Sequence, residues 1–148
     1  MNPAVVAALV MLAGGAILAV QAPTNALLVR PLGSPVNAAL VSFIVGTIGL
    51  ALAALLLRAS PDLPAVRATP WYAWIGGLCG AVFVGSLAFA TPRIGIAAAL
   101  TLAILGQTVV ALALDHVGAF GFPARPIDLS KILGVALICA GVLLVRRG

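Results

Sequence analysis

The sequence predicts an all-α integral membrane bundle of five transmembrane helices, and three observations carry that expectation. Hydrophobic residues fill 64% of the 148 positions and charged residues only 7%, where soluble domains carry about 25% charged residues. The mean hydropathy is +1.27. The apolar residues fall into five runs joined by short connections in which the charges sit singly. A run of roughly 20 apolar residues, rising about 1.5 Å each, crosses the hydrocarbon core of a bilayer as a helix. With no connection long enough for a soluble domain, residues 1–148 read as a single transmembrane domain.

The first run, Ala4 to Val29, is almost wholly apolar yet carries Gln21, Pro23, Thr24 and Asn25 near its end. Gln21 and Asn25 stand at i and i+4, hence on one helix face, and Pro23 has no amide to donate to the carbonyl of Ala19. Pro23 is therefore the expected helix break, and a polar turn of this kind is tolerated only where protein or a wet cavity covers it. The plainer alternative is that the two amides bond to neighbouring helices as interhelical glue. A cleavable leader ending at Val20-Gln21-Ala22 is disfavoured: no Lys or Arg precedes the run, a proline follows the cut, and the apolar stretch is too long.

Four runs open on the same punctuation, Asn2-Pro3, Ser34-Pro35, Thr69-Pro70 and Thr91-Pro92. Each places a capping side chain before a proline that has no N–H to leave unpaired. The first helix is expected from Pro3 to Val29, the second from Pro35 to Leu57, the third from Pro70 to Ala90 and the fourth from Pro92 to Leu114. The near-immediate join makes the third and fourth antiparallel neighbours. Arg58 to Ala68 is the longest polar connection, and Trp71, Tyr72 and Trp74 suit the lipid headgroup level. A Gly- and Pro-rich loop, Gly118 to Pro126, leads to a fifth helix capped by Asp128 and running to Val145. Its strictly apolar part, Ile132 to Val145, is short, so Lys131 at one end and Arg146 with Arg147 at the other are expected to snorkel to opposite interfaces.

Cys79 and Cys139 lie deep in apolar runs and read as small packing residues. Ser42 with Gly46, Gly76 with Gly80, Gly77 with Ala81, and Gly134 with Gly141 stand at spacings that let helices approach in lipid. No nucleophile–base pair, phosphate loop or metal-ligand cluster appears, so neither catalysis, a metal nor a cofactor is expected. The excess of eight basic over three acidic residues reads as topology signals rather than a nucleic-acid surface.

With five spans, one side of the membrane holds Arg58, Arg67, Arg125 and Lys131, and the other holds Arg30, Arg93, Arg146 and Arg147. Four against four leaves no bias to orient insertion. The expectation is dual topology, with both orientations pairing as an antiparallel ten-helix homodimer about an in-plane two-fold. Gln21 lies past the midpoint of the first helix and Gln107 past the midpoint of the fourth, toward opposite sides and roughly 12 Å apart in depth. Inverting one protomer brings its Gln21 near the depth of the partner's Gln107, which suggests an inter-subunit polar site for a small-molecule substrate lined by Gln21, Asn25 and Gln107. Thr101 and Thr108 share a face of the fourth helix and either line the same cavity or bond back to their own helix.

Gln21-Ala22-Pro23-Thr24-Asn25, Pro70-Trp71-Tyr72-Ala73-Trp74-Ile75-Gly76-Gly77, Ala90-Thr91-Pro92-Arg93-Ile94-Gly95, Gly106-Gln107 and Asp115-His116-Val117-Gly118 resemble, in order and over nearly the whole chain, the YdcZ-like family of the drug/metabolite transporter superfamily. The resemblance implies a small-molecule transporter of the bacterial inner membrane. It implies antiparallel halves, since members of that family occur as single proteins, as oppositely oriented pairs and as fused copies. The related small multidrug resistance exporters carry a glutamate in the first helix, and this chain has no acid inside any predicted helix. That departure turns the expectation from a cationic drug toward a neutral or zwitterionic metabolite. Asp115 and His116, the titratable pair near a helix end, either solvate and cap that terminus or couple transport to protons, and flux without proton coupling is the alternative. The rival reading is a non-transporting membrane subunit that stabilises or pairs with another membrane protein.

Overall fold

In lipid there is no water to satisfy backbone N–H and C=O groups, so an apolar run either forms a helix or leaves those groups unpaired. The computed structural model describes residues 2–147, and side chains through residue 146; the expected placement of the Arg147 side chain lies outside the described residues. The helices are α1 (Pro3–Leu32), α2 (Pro35–Leu56), α3 (Leu63–Ala68), α4 (Gly76–Ile94), α5 (Ile96–Val117) and α6 (Leu129–Arg147). Two 3-10 segments, Trp71–Ile75 and Ala119–Gly121, complete the elements, and no strand occurs among the described residues. Five stretches are long and apolar enough to span a membrane: Pro3–Leu32, Pro35–Leu56, Trp71–Ile94, Ile96–Val117 and Leu129–Arg146.

Three of the expected caps are made. Asn2 Oδ1 accepts from the amide of Ala4 at 2.9 Å, Ser34 Oγ from Val36 at 3.1 Å, and Asp128 Oδ1 from Lys131 at 2.9 Å. Two are not. Thr69 turns its hydroxyl back to the carbonyl of Ala65 at 3.0 Å, closing the short α3 that the polar connection hides, and Trp71–Ile75 then enters α4 as a 3-10 turn. Thr91-Pro92 lies inside α4, which continues to Ile94. A proline near a helix C-terminus removes one hydrogen bond without ending the helix, and the chain turns instead at Gly95, whose φ of 83° and ψ of 159° only glycine adopts without strain.

The first helix likewise passes through Pro23, so the expected break reduces to one missing hydrogen bond at the Ala19 carbonyl. It also runs three residues beyond Val29, through Arg30 and Pro31, and is closed by the amide of Gly33 donating to Val29 O at 2.8 Å.

The chain divides into two compact units, Met1–Pro92 and Arg93–Gly148. In the first, the two-residue turn Gly33–Ser34 sends α2 back along α1, and the two helices are in contact. A Cβ added at Gly80 of α4 would lie 3.2 Å from Phe43 Cζ of α2, so the glycine there makes room for the ring, while one at Gly85 would make an ordinary contact at 3.9 Å with Ala39 Cβ. Buried positions are Ala22 and Asn25 on α1, Ala38 and Ala39 on α2, and Val84, Leu87, Ala88 and Thr91 on α4. In the second unit α5 and α6 pack as a pair, with Ala98, Ala99 and Val142 buried. The small-residue positions Gly46, Gly76, Gly77, Gly134 and Gly141 find no neighbour within 4 Å.

The outer faces are largely apolar. Leu50 is 75% exposed and Leu56 85%, and faces of this kind are stable against hydrocarbon and not against water. Trp71, Tyr72 and Trp74 are exposed at the entry to α4, with the first two rings edge to face at 6.2 Å.

Gly95→Ala is expected to cost about 1–3 kcal/mol, because a Cβ strains that backbone geometry, while Gly49→Ala, in an open stretch of α2, leaves stability unchanged or slightly raised. Thermal unfolding of the two variants in detergent checks the contrast.

Candidate functional site

The polar turn of α1 is folded as the spacing requires. Gln21 is half-buried, and its Nε2 donates to Ser42 Oγ of α2 at 3.3 Å. One turn on, Asn25 is only 3% exposed, and its Nδ2 finds no hydrogen-bond partner in the chain. Thr24, between them, returns its hydroxyl to the carbonyls of Val20 at 3.1 Å and Gln21 at 3.0 Å. The turn thus holds one satisfied amide, one unsatisfied buried donor, and a carbonyl at Ala19 that Pro23 cannot serve.

The same unit contains a second unpaired group that the sequence reading took for a cap. Thr91 is 7% exposed and its Oγ1 has no hydrogen-bond partner. It continues the buried stripe Val84, Leu87, Ala88 on α4, whose i, i+3, i+4, i+7 spacing is one helix face. The signal that could have found it is this stripe, in which Thr91 is the one polar member.

A groove of about 690 Å³ opens between α2 and α4, lined by Pro35, Val36, Ala39, Leu40 and Phe43 and by Ala81, Val82, Gly85, Ser86 and Phe89. That volume lies within the range of small-molecule sites. Its lining carries no ionisable side chain, and Ser86 supplies the single hydroxyl. Sequence alone does not reveal it, because a lining that is apolar but for one serine is indistinguishable from any other apolar helix face.

The remaining predicted residues belong to the second unit. Gln107 lies on α5 and is exposed in the single chain. Thr101 donates to Ala97 O at 2.9 Å and Thr108 to Ile104 O at 2.7 Å, so both bond back to their own helix. Asp115 and His116 organise the connection to α6: the Asp115 carbonyl accepts from the Arg125 amide at 2.7 Å, and His116 Nδ1 accepts from Ile127 at 3.2 Å. Gly118 turns the chain there at φ 61°, where an added Cβ would lie 2.9 Å from Phe122 O. These contacts give the pair a structural task at the end of α5. No group of three or more His, Cys, Asp or Glu among the described residues is placed to hold a metal ion.

The structure therefore joins Gln21 of α1 to Ser42 of α2, with the buried Asn25 one turn along α1 from Gln21. A family model described as "Putative inner membrane exporter, YdcZ" matches residues 6–144. No curated protein and no solved structure matches the chain.

If the Gln21–Ser42 bond holds α1 against α2, a double-mutant cycle of Gln21→Ala and Ser42→Ala should return a coupling of about 0.6 kcal/mol, the average for interhelical hydrogen bonds in membranes. Unfolding of the purified protein in mixed micelles measures it, and a coupling near zero removes the bond from the account.

Proposed function

The chain belongs to the YdcZ family of inner membrane exporters and is a multi-pass inner membrane protein, and from that premise we propose that it moves a small uncharged or zwitterionic solute by alternating access in an antiparallel homodimer. The observation that carries this reading is the polar turn of α1, where a buried amide donor without a protein partner sits in an otherwise apolar span. In hydrocarbon such a group is costly unless something bonds to it. A substrate atom is the partner a transporter would supply. Gln107 supports the dimer: an amide on a spanning helix, exposed in the single chain, acquires a covered polar environment when a second copy packs against α5. The four-against-four distribution of Lys and Arg supports insertion in both orientations. In this reading Gln21, Asn25 and Gln107 contact the solute, and Pro23 leaves the Ala19 carbonyl free to do the same.

Substrate selectivity follows from charge. The spans hold no acid until Asp115, in the last turn of α5, so a permanent cation finds no buried counter-ion. The groove between α2 and α4 is large enough for a solute with an apolar side.

A second reading is favoured by the Gln21–Ser42 hydrogen bond: a non-transporting subunit, whose amides serve as interhelical glue, that stabilises another membrane protein. The two separate cleanly. For a transporter, Gln21→Ala and Gln107→Ala should each cut solute flux in everted membrane vesicles about tenfold, the worth of one hydrogen bond of roughly 1.4 kcal/mol, with dimers intact by crosslinking. Glue residues would instead dissociate the assembly when removed.

A further inference from the structure

Threonines within membrane helices ordinarily satisfy their hydroxyls by donating to a carbonyl one turn back. Thr24, Thr47, Thr101 and Thr108 all do so, to Val20, Phe43, Ala97 and Ile104. Thr91 does not, although it lies in α4 with Leu87 one turn behind it. It is also the buried one, 7% exposed, where the others are exposed or half-buried. The next residue, Pro92, has no N–H for the carbonyl of Ala88, itself fully buried. One turn of α4 therefore presents a hydroxyl held away from its own helix and a carbonyl short of its usual donor. On α1 the other unpartnered group, Asn25 Nδ2, also lies within two residues of a proline, Pro23.

We propose that Thr91 is a further substrate-contacting residue, which hydrogen-bonds an uncharged solute bearing oxygen acceptors and N–H or O–H donors, such as an amide or a polyol. The proposal rests on the transporter reading and adds to it a residue on α4 and a chemical class. A hydroxyl donates one hydrogen bond and accepts others, and a backbone carbonyl accepts; together they match a neutral group that does both. The nearest charge along α4, Arg93, is two residues on, where side chains do not share a helix face.

The test uses probes whose reactive end reports access and whose tail imitates the solute. In a chain carrying Cys79→Ala and Cys139→Ala, Thr91→Cys in native membranes is treated with methanethiosulfonates bearing an acetamide, a sulfonate or a trimethylammonium tail. Ala90→Cys, at the same depth on another face, supplies the reference rates. The acetamide reagent should be preferred over both charged reagents about tenfold more strongly at position 91 than at position 90, since the thiolate reacts only where water and reagent reach it. Equal preferences at the two positions would reduce Thr91 to interfacial hydration, no reaction would mean that protein seals it, and preference for a charged tail would refute the class; each overturns the proposal. Thr91→Val in detergent gives an independent arm. Its thermal midpoint should be unchanged or raised, because no protein group loses a partner, and a lowered midpoint shows a structural hydroxyl instead. Neither arm measures flux, so failure here leaves the vesicle experiment standing, and failure there leaves these readouts interpretable.

Discussion

The absence of water in the bilayer core governs this molecule: every polar atom drawn into a span needs a partner from the protein or from something the protein binds. The chain meets that demand by the shortest routes available. Backbone groups pair within the helices, Thr24, Thr47, Thr101 and Thr108 return their hydroxyls to their own turn, and Gln21 reaches across to Ser42. Against that economy the buried and unpartnered atoms, Asn25 Nδ2 and Thr91 Oγ1, stand out as exceptions. Both lie close to a proline that removes a backbone donor from its own helix. A fold that satisfies its other threonines so locally leaves unmet hydrogen-bonding capacity at these two positions, in spans that are otherwise largely apolar.

The same constraint shapes the outer surface. Few side chains are buried, most of them small, while large aliphatic residues face outward along every span. Helices with such faces are stable in lipid or against other helices, and not as a soluble bundle. Gly80 leaves room for the Phe43 ring, and Gly85 stands over Ala39. Those contacts leave the groove between α2 and α4 open beside them. Within the second unit, the loop from Gly118 to Asp128 is tied back to Asp115 and His116, which fixes the start of α6.

Much of the architecture was legible in the sequence because hydropathy over some twenty residues is a strong signal that local detail does not overturn. Five spans, the caps at Asn2, Ser34 and Asp128, and the aromatic entry at Trp71 follow from residue chemistry alone. The misplaced start of the fourth helix has a plain cause: a polar residue followed by proline marks a helix start only where the preceding chain has already left the helix. At Thr91-Pro92 it has not, because α4 tolerates a single missing hydrogen bond, and Gly95 makes the turn. The six-residue α3 was hidden by Pro61 and Pro64, which read as a loop. Of the site, the i, i+4 spacing of Gln21 and Asn25 was readable, while the partner Ser42 was not, since it depends on the register of α2 against α1. Thr91 and the groove depend on which face of α4 is covered, which periodicity without a partner cannot assign.

In the proposed transporter, two copies of opposite orientation complete a polar path that one copy leaves unfinished. The most direct test is the orientation of the C-terminus in native membranes, with a tag after Gly148 scored separately for access from each face. Comparable access from both faces is the predicted result. Access from one face alone would contradict dual topology and with it the antiparallel homodimer.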